Sequence, residues 1–325
     1  MRFLLHVFLN CSLLVMSLTA YAEDPTTLLQ RMGDAAKQLN YEGVFSYPSG
    51  NKTQSIRIIH RADAQGEVER LISLNGVARE VIRNNEIMTC IYPEGNSVQP
   101  NHRPLGLGFP SDFLNRLNQA SAYYQLSLGE EDRIAGHSAQ ELNVKPIDNY
   151  RYGYHLWVDK VTDLLLQSEL VDEQNNILES VAFSSVEMRH DIPDALLQTQ
   201  VQGNQMTWNR AEHVMTTKTK ANKAHSAWRI DWLPEGFVLV AQQNRLKAKN
   251  GAFIEQHVYS DGLNSISIFM EKIRAQHNHL HGGSKMGATN AFGTIINRHF
   301  VTIVGEVPER TVEKIGNSIQ YFEHE

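Results

Sequence analysis

Tyr154-His155-Leu156-Trp157-Val158-Asp159 is a short run of alternating character, rich in aromatic and branched residues. Residues 164–171 and 178–186 repeat that character, and two polar stretches, 159–163 and 172–176, separate the three runs. Runs of this length, bounded by Asp and Asn, read as strands, and three in succession read as an antiparallel meander.

Working outward, residues 44–47, 55–60, 68–74, 79–83 and 87–92 have the same look, with Asn-Gly, Gly-Glu and Asn-Asn signals between them. Their spacing of about ten residues predicts antiparallel hairpins in a large sheet. Residues 123–128 and 139–144 add two more strands. Upstream, Asp24-Pro25 places an N-cap residue before a proline at the first helical position. Leu28, Leu29, Met32, Ala35, Ala36 and Leu39 then recur at helical spacing. That helix must bury one face against something else.

The stretch Arg103-Pro104-Leu105-Gly106-Leu107-Gly108-Phe109-Pro110 is apolar yet rich in Gly and Pro. Such a segment makes neither a helix nor a central strand. It fits a lid over a cavity and a buried connection equally. Ser111 then opens a short helix with Phe113, Leu114 and Leu117 on one face.

Met1-Arg2 is followed by an apolar run and ends at Ala20-Tyr21-Ala22. This reads as a secretory signal over residues 1–22. Cys11 lies inside that run, the wrong place for lipid attachment. No later segment is long and apolar enough to span a bilayer. The expected product is soluble and outside the cytoplasm, and about 300 residues suit two domains. Removing Arg2 with the signal takes the formal charge from −6 to −7, which argues against nucleic acid. The mature chain keeps one cysteine, Cys90, read as a small buried hydrophobe in an apolar strand.

After residue 203 the strand pattern fails. Residues 204–226 read as a polar linker containing Lys218, Lys220 and Lys223. A second unit, 227–325, holds strand-like runs at 238–242, 254–260, 265–271 and 300–305, and Pro308 opens a helix through Val312, Ile315 and Ile319. The linker lysines and Arg245-Lys247-Lys249 read first as solvated charge; contact with phosphates or an acidic partner is the alternative, with the linker group the better candidate.

Motifs that carry catalysis are missing: no G-x-S-x-G elbow, phosphate-binding loop, H-E-x-x-H or C-x-x-C pair occurs. No enzyme activity and no cofactor are expected. His277, His279 and His281 form the one metal-like group, but they lie in a Gly-rich stretch without acidic or Cys partners. No metal is expected there.

Several passages together resemble the RseB/MucB family. They are residues 28–32 and 39–43, Ala78-Arg79-Glu80-Val81, and Trp157-Val158-Asp159 with Leu166 and Glu169-Leu170. In the second unit they are Trp232-Leu233-Pro234-Glu235-Gly236-Phe237, Tyr259-Ser260-Asp261-Gly262-Leu263 and Val304-Gly305-Glu306-Val307-Pro308. The meander also resembles the LolA and LolB lipoprotein carriers. The resemblance implies an α+β fold: an unclosed antiparallel β-barrel with helices over residues 23–203, plus a smaller C-terminal α+β domain over 227–325. It implies a negative regulator of the sigma-E type envelope-stress response. Such a protein binds the periplasmic part of an anti-sigma factor (RseA or MucA), shields it from proteolysis, and is released by lipid or lipopolysaccharide. A periplasmic lipid or lipoprotein carrier is the alternative. The resemblance also suggests self-association.

Phe45, Leu105, Leu107, Phe109, Phe113 and Leu117 are the candidate lipid-cavity residues. Trp232, Phe237, Tyr259, Asp261 and Gly262 are the candidate partner-binding residues.

Overall fold

The computed structural model describes residues 23–49, 52–85, 87–93, 109–209, 227–246, 253–273 and 280–322. Helix α1 (Pro25–Gln38) starts where Asp24 accepts hydrogen bonds from the amides of Thr26 and Thr27. Its apolar face buries Leu28, Leu29, Met32 and Ala36. Each fully buried leucine stabilises the fold by about 1.5–3 kcal/mol.

A meander follows: β1 (Tyr41–Ser49), β2 (Lys52–Asp63), β3 (Gly66–Ser73), β4 (Glu80–Asn84) and β5 (Ile87–Pro93). Helix α2 (Ser111–Ala120) precedes β6 (Tyr124–Ile134), β7 (His137–Pro146), β8 (Gly153–Asp159), β9 (Leu165–Val171) and β10 (Ile177–Met188). The short helix α3 (Asp194–Leu197) then leads to β11 (Gly203–Asn209).

These strands form one antiparallel eleven-stranded sheet in the order β11-β5-β4-β3-β2-β1-β10-β9-β8-β7-β6. Its two ends, β11 and β6, do not pair, so the barrel is unclosed. Bulges in β6, β9 and β10 bend it. One face of the sheet, carrying Phe45, Ile56, Ile58, Leu71, Leu142, Leu156 and Phe183, packs with α1 and α2 in a single core. Cys90 is buried in that core from β5. On the opposite face Ile59 packs with Ile192 and Leu197.

Two short strands, β12 (Trp228–Ile230) and β19 (Ile319–Tyr321), pair at the base of the second unit. Its main sheet comprises β13 (Val238–Leu246), β14 (Phe253–Ser260), β15 (Ser265–Lys272), β16 (Gly282–Met286), β17 (Thr289–Ile296) and β18 (His299–Gly305), in the order β13-β14-β15-β18-β17-β16. Helix α4 (Glu309–Ser318) covers it, burying Val312 and Ile315 against Ile268, Val301 and Ile303.

Two differences from the sequence expectation have physical causes. Residues 204–209 were expected in the linker, but they lie in β11 and pair with β5. An edge strand is held through its main chain, which composition does not reveal. The hairpin of β16 and β17 was also missed. Gly282, Gly283, Ser284 and Lys285 carry no apolar alternation, because four of the five β16 residues are exposed.

Candidate functional site

The two domains meet at a buried polar joint built around Arg151, in the loop before β8. Its guanidinium donates to both oxygens of Asp148 at 2.8–3.2 Å, to Asp261 Oδ2 at 2.9 Å and to the Glu235 carbonyl at 2.7 Å. It also lies over the rings of Tyr123 at 4.8 Å and Phe237 at 5.5 Å. Arg151 and Asp261 have fully buried side chains. A carboxylate this deep needs further donors, and Asp261 Oδ1 has them in the amides of Leu263 and Asn264 at 3.0 and 2.7 Å.

More bonds cross the joint. Asn264 Nδ2 donates to the Tyr124 hydroxyl at 3.0 Å. Asn290 Nδ2 donates to the Tyr152 hydroxyl at 2.8 Å, and Thr311 Oγ1 to the Tyr150 carbonyl at 2.8 Å. Arg310 pairs with Glu173. Burial pushes the Tyr124 hydroxyl well above its ordinary pKa, so it stays protonated. Trp232 packs edge-on against Tyr150 at 4.7 Å, and Lys314 Nζ sits 4.1 Å above the Trp232 ring. Gly236, at φ +85°, is pressed against Tyr123, where a Cβ would come within 2.2 Å of the ring. Leu263, from the turn between β14 and β15, is buried in the large domain's core. Beside the joint lies a half-open cleft of about 830 Å³, with Lys145, His155 and Asp172 on one wall and Lys285, Glu309 and Glu313 on the other.

The five candidate partner residues therefore have different surroundings. Trp232, Phe237 and Asp261 touch the large domain at this joint. Gly262 is the adjacent turn residue at φ +100°, and its amide donates to Ser260 Oγ. Tyr259 is buried in the small domain's core. Arg151 was missed by sequence reasoning, since Asn149-Tyr150-Arg151 reads as an ordinary turn.

Of the candidate cavity residues, Phe45, Phe109, Phe113 and Leu117 are buried together in the half-barrel core. Phe45, Phe109 and Phe183 form a three-ring contact with centroids 5.4–5.8 Å apart. Phe113 meets Tyr154 at 5.0 Å. Leu105 and Leu107 lie outside the described residues, as do His277, His279 and the linker lysines. His281 is described and exposed. The half-barrel also holds a polar cluster beside Tyr41. There His60 Nδ1 lies 2.7 Å from the Leu39 carbonyl and Nε2 lies 3.5 Å from Glu67. His60, with Arg83 behind it, holds the Glu67 carboxyl below its usual range.

Family models match both parts of this architecture. The MucB/RseB N-terminal domain matches residues 24–201, and the MucB/RseB C-terminal domain matches residues 222–320. The chain belongs to the MucB/RseB family. Among MucB/RseB relatives, the sigma factor AlgU regulatory protein MucB of Pseudomonas aeruginosa is 31% identical over 313 residues, 92% of each chain. The sigma-E factor regulatory protein RseB of Escherichia coli K12 is 26% identical over 295 residues, 90% of each chain. The complex structure of Pseudomonas aeruginosa MucA/MucB superposes with a TM-score of 0.72 at 27% identity, covering 93% of this chain and all of that one. The named MucB/RseB relatives are regulatory proteins rather than enzymes, and this chain carries both of their domains in the same order.

Proposed function

We propose that this protein is a periplasmic negative regulator that binds the periplasmic part of a membrane-spanning anti-sigma factor and shields it from proteolysis. Lipid or lipopolysaccharide entering the half-barrel releases that partner. The observation that carries this reading is the match of both family domains, including the small domain that a simple carrier does not need. A relative solved in complex with MucA supports the choice of partner.

The geometry is compatible with a switch. The interior that would take an acyl chain is lined by Phe45, Phe109, Phe113 and Leu117, and α1 and α2 fill it. A lipid entering there must displace one of these helices or the segment that carries Phe109. Leu105 and Leu107 belong to that same segment. Tyr123 and Tyr124 follow α2 directly and touch the joint at Gly236, Arg151 and Asn264. Movement of α2 would therefore be felt at the small domain. A ligand can bias two states only through such differential contacts. Trp232, Phe237 and Asp261 act in this scheme by setting the joint that the partner reads, while Gly262 shapes the turn that carries Asp261 and Tyr259 packs the small domain's core.

The test is binding of residues 23–325 to the periplasmic segment of the cognate anti-sigma factor, with and without lipopolysaccharide. Tight binding that lipopolysaccharide weakens is expected. Absence of binding to that segment, with lipid still bound, would sink the regulator reading and favour a lipid or lipoprotein carrier.

A further inference from the structure

Three edge strands invite comparison. β16, at one edge of the small sheet, carries Gly282, Gly283, Ser284 and Lys285. β6, at one edge of the large sheet, carries Glu130, Glu131 and Asp132, with a bulge between Leu128 and Glu131. Glycine, charge and bulges keep an edge from pairing with another chain. β13 is the other edge of the small sheet, and among the described residues no strand pairs with its outer side. Its first three residues, Val238, Leu239 and Val240, are 61%, 47% and 40% exposed. No charged residue occurs from Val238 to Asn244. A bulge between Leu239 and Ala241 inserts Val240 as an extra residue, so neighbouring aliphatic side chains face solvent together. Three consecutive exposed aliphatic residues on an edge strand mark a binding feature rather than a solvated one.

We propose that β13 is a docking edge, taking an extended segment of the anti-sigma partner as an added strand. The inference rests on the anti-sigma reading above and names the contact that reading leaves open. An edge offers main-chain donors and acceptors in a row, which an extended chain can meet in register.

A second copy of this chain fits poorly. Pairing the aliphatic triplet with itself centres the two-fold on Leu239. The match then ends at Phe237, which is buried over Arg151. That leaves three exposed residues, short of the usual strand of about five or six. Centring on Gln242 gives more pairs but sets the triplet opposite Asn244, Arg245 and Leu246. A foreign strand carrying its own aliphatic residues has neither restriction. It would also end one residue from Phe237, and so abut the domain joint.

The experiment uses the full mature chain and a synthetic peptide of the cognate anti-sigma factor's periplasmic segment. Titration calorimetry compares the native protein with Leu239→Lys and Val240→Asp, and thermal melting checks that each variant folds. Hydrogen exchange of the native protein, alone and with peptide, is the second readout. The expected result is a loss of at least about tenfold in affinity for each variant, with slowed exchange in β13 on adding peptide. Native binding that both variants keep within twofold would overturn the docking edge alone. No binding by the native protein would instead overturn the anti-sigma reading, and this inference with it. Slowed β13 exchange that needs only higher protein concentration would identify a second copy as the occupant and overturn the proposal.

Discussion

Replacing Arg151 by Met tests whether the domain joint is held by its buried ion pair. The substitution keeps much of the side chain's length and removes every donor of the guanidinium. Asp148 is partly solvated, so water can replace its lost bonds. Asp261 is not solvated, and it loses its buried ion-pair partner. Removing one partner of a buried pair costs about 3–5 kcal/mol. Asp261 keeps the amides of Leu263 and Asn264 and a longer contact to Asn264 Nδ2 at 3.3 Å. Those donors place the loss at the lower end, about 3 kcal/mol, with about 0.5–1 kcal/mol more from the lost stacking on Tyr123 and Phe237. A total near 3.5 kcal/mol shifts the equilibrium between joined and parted domains by roughly 300-fold. Urea unfolding followed by tryptophan fluorescence reads the loss, because Trp232 lies at the joint. Small-angle scattering reads any parting of the domains. Asp261→Asn alone should cost less, and the double variant should show a coupling of about 1–3 kcal/mol. A midpoint for Arg151→Met within about 0.5 kcal/mol of the native protein, the range of ordinary surface changes, would refute the keystone role.

Other outcomes follow from single residues. Gly236→Ala meets both a left-handed backbone and the Tyr123 ring. It should destabilise by about 1–3 kcal/mol from the backbone alone, seen as a lowered calorimetric melting temperature. Phe45→Ala removes a fully buried ring from the three-ring contact and should cost about 3–5 kcal/mol in denaturant unfolding. The depressed Glu67 carboxyl contributes stability that is present above its unfolded pKa and lost as pH falls through the folded one. Glu67→Gln should therefore lower stability at neutral pH and flatten the acid limb of a stability-versus-pH curve. An unchanged acid limb would show that another carboxylate dominates.

The large sheet was legible because its strands alternate over one buried face, and the first helix because Asp24-Pro25 and its apolar spacing agree. The helix opened by Pro308 was legible for the same reason. The candidate cavity residues Phe45, Phe109, Phe113 and Leu117 stand out as large apolar groups, and the structure brings them together in one core. What a lone sequence could not show was the joint. Arg151 and Asp261 are 110 residues apart. A charged residue that folding buries looks the same as one that it leaves in water. Gly236 adopts a left-handed turn conformation, but its closeness to Tyr123 depends on how the domains dock. β11 and the β16–β17 hairpin escaped because their pairing is carried by the main chain.

Leu263 has a consequence for inheritance. It is encoded with the small domain yet fills space in the core of the large one. The two halves therefore cannot drift separately, since a change in the large core must be answered by the turn that plugs it. Grafting the small domain of a distant relative onto this half-barrel should succeed only when that turn and Arg151's surroundings travel together.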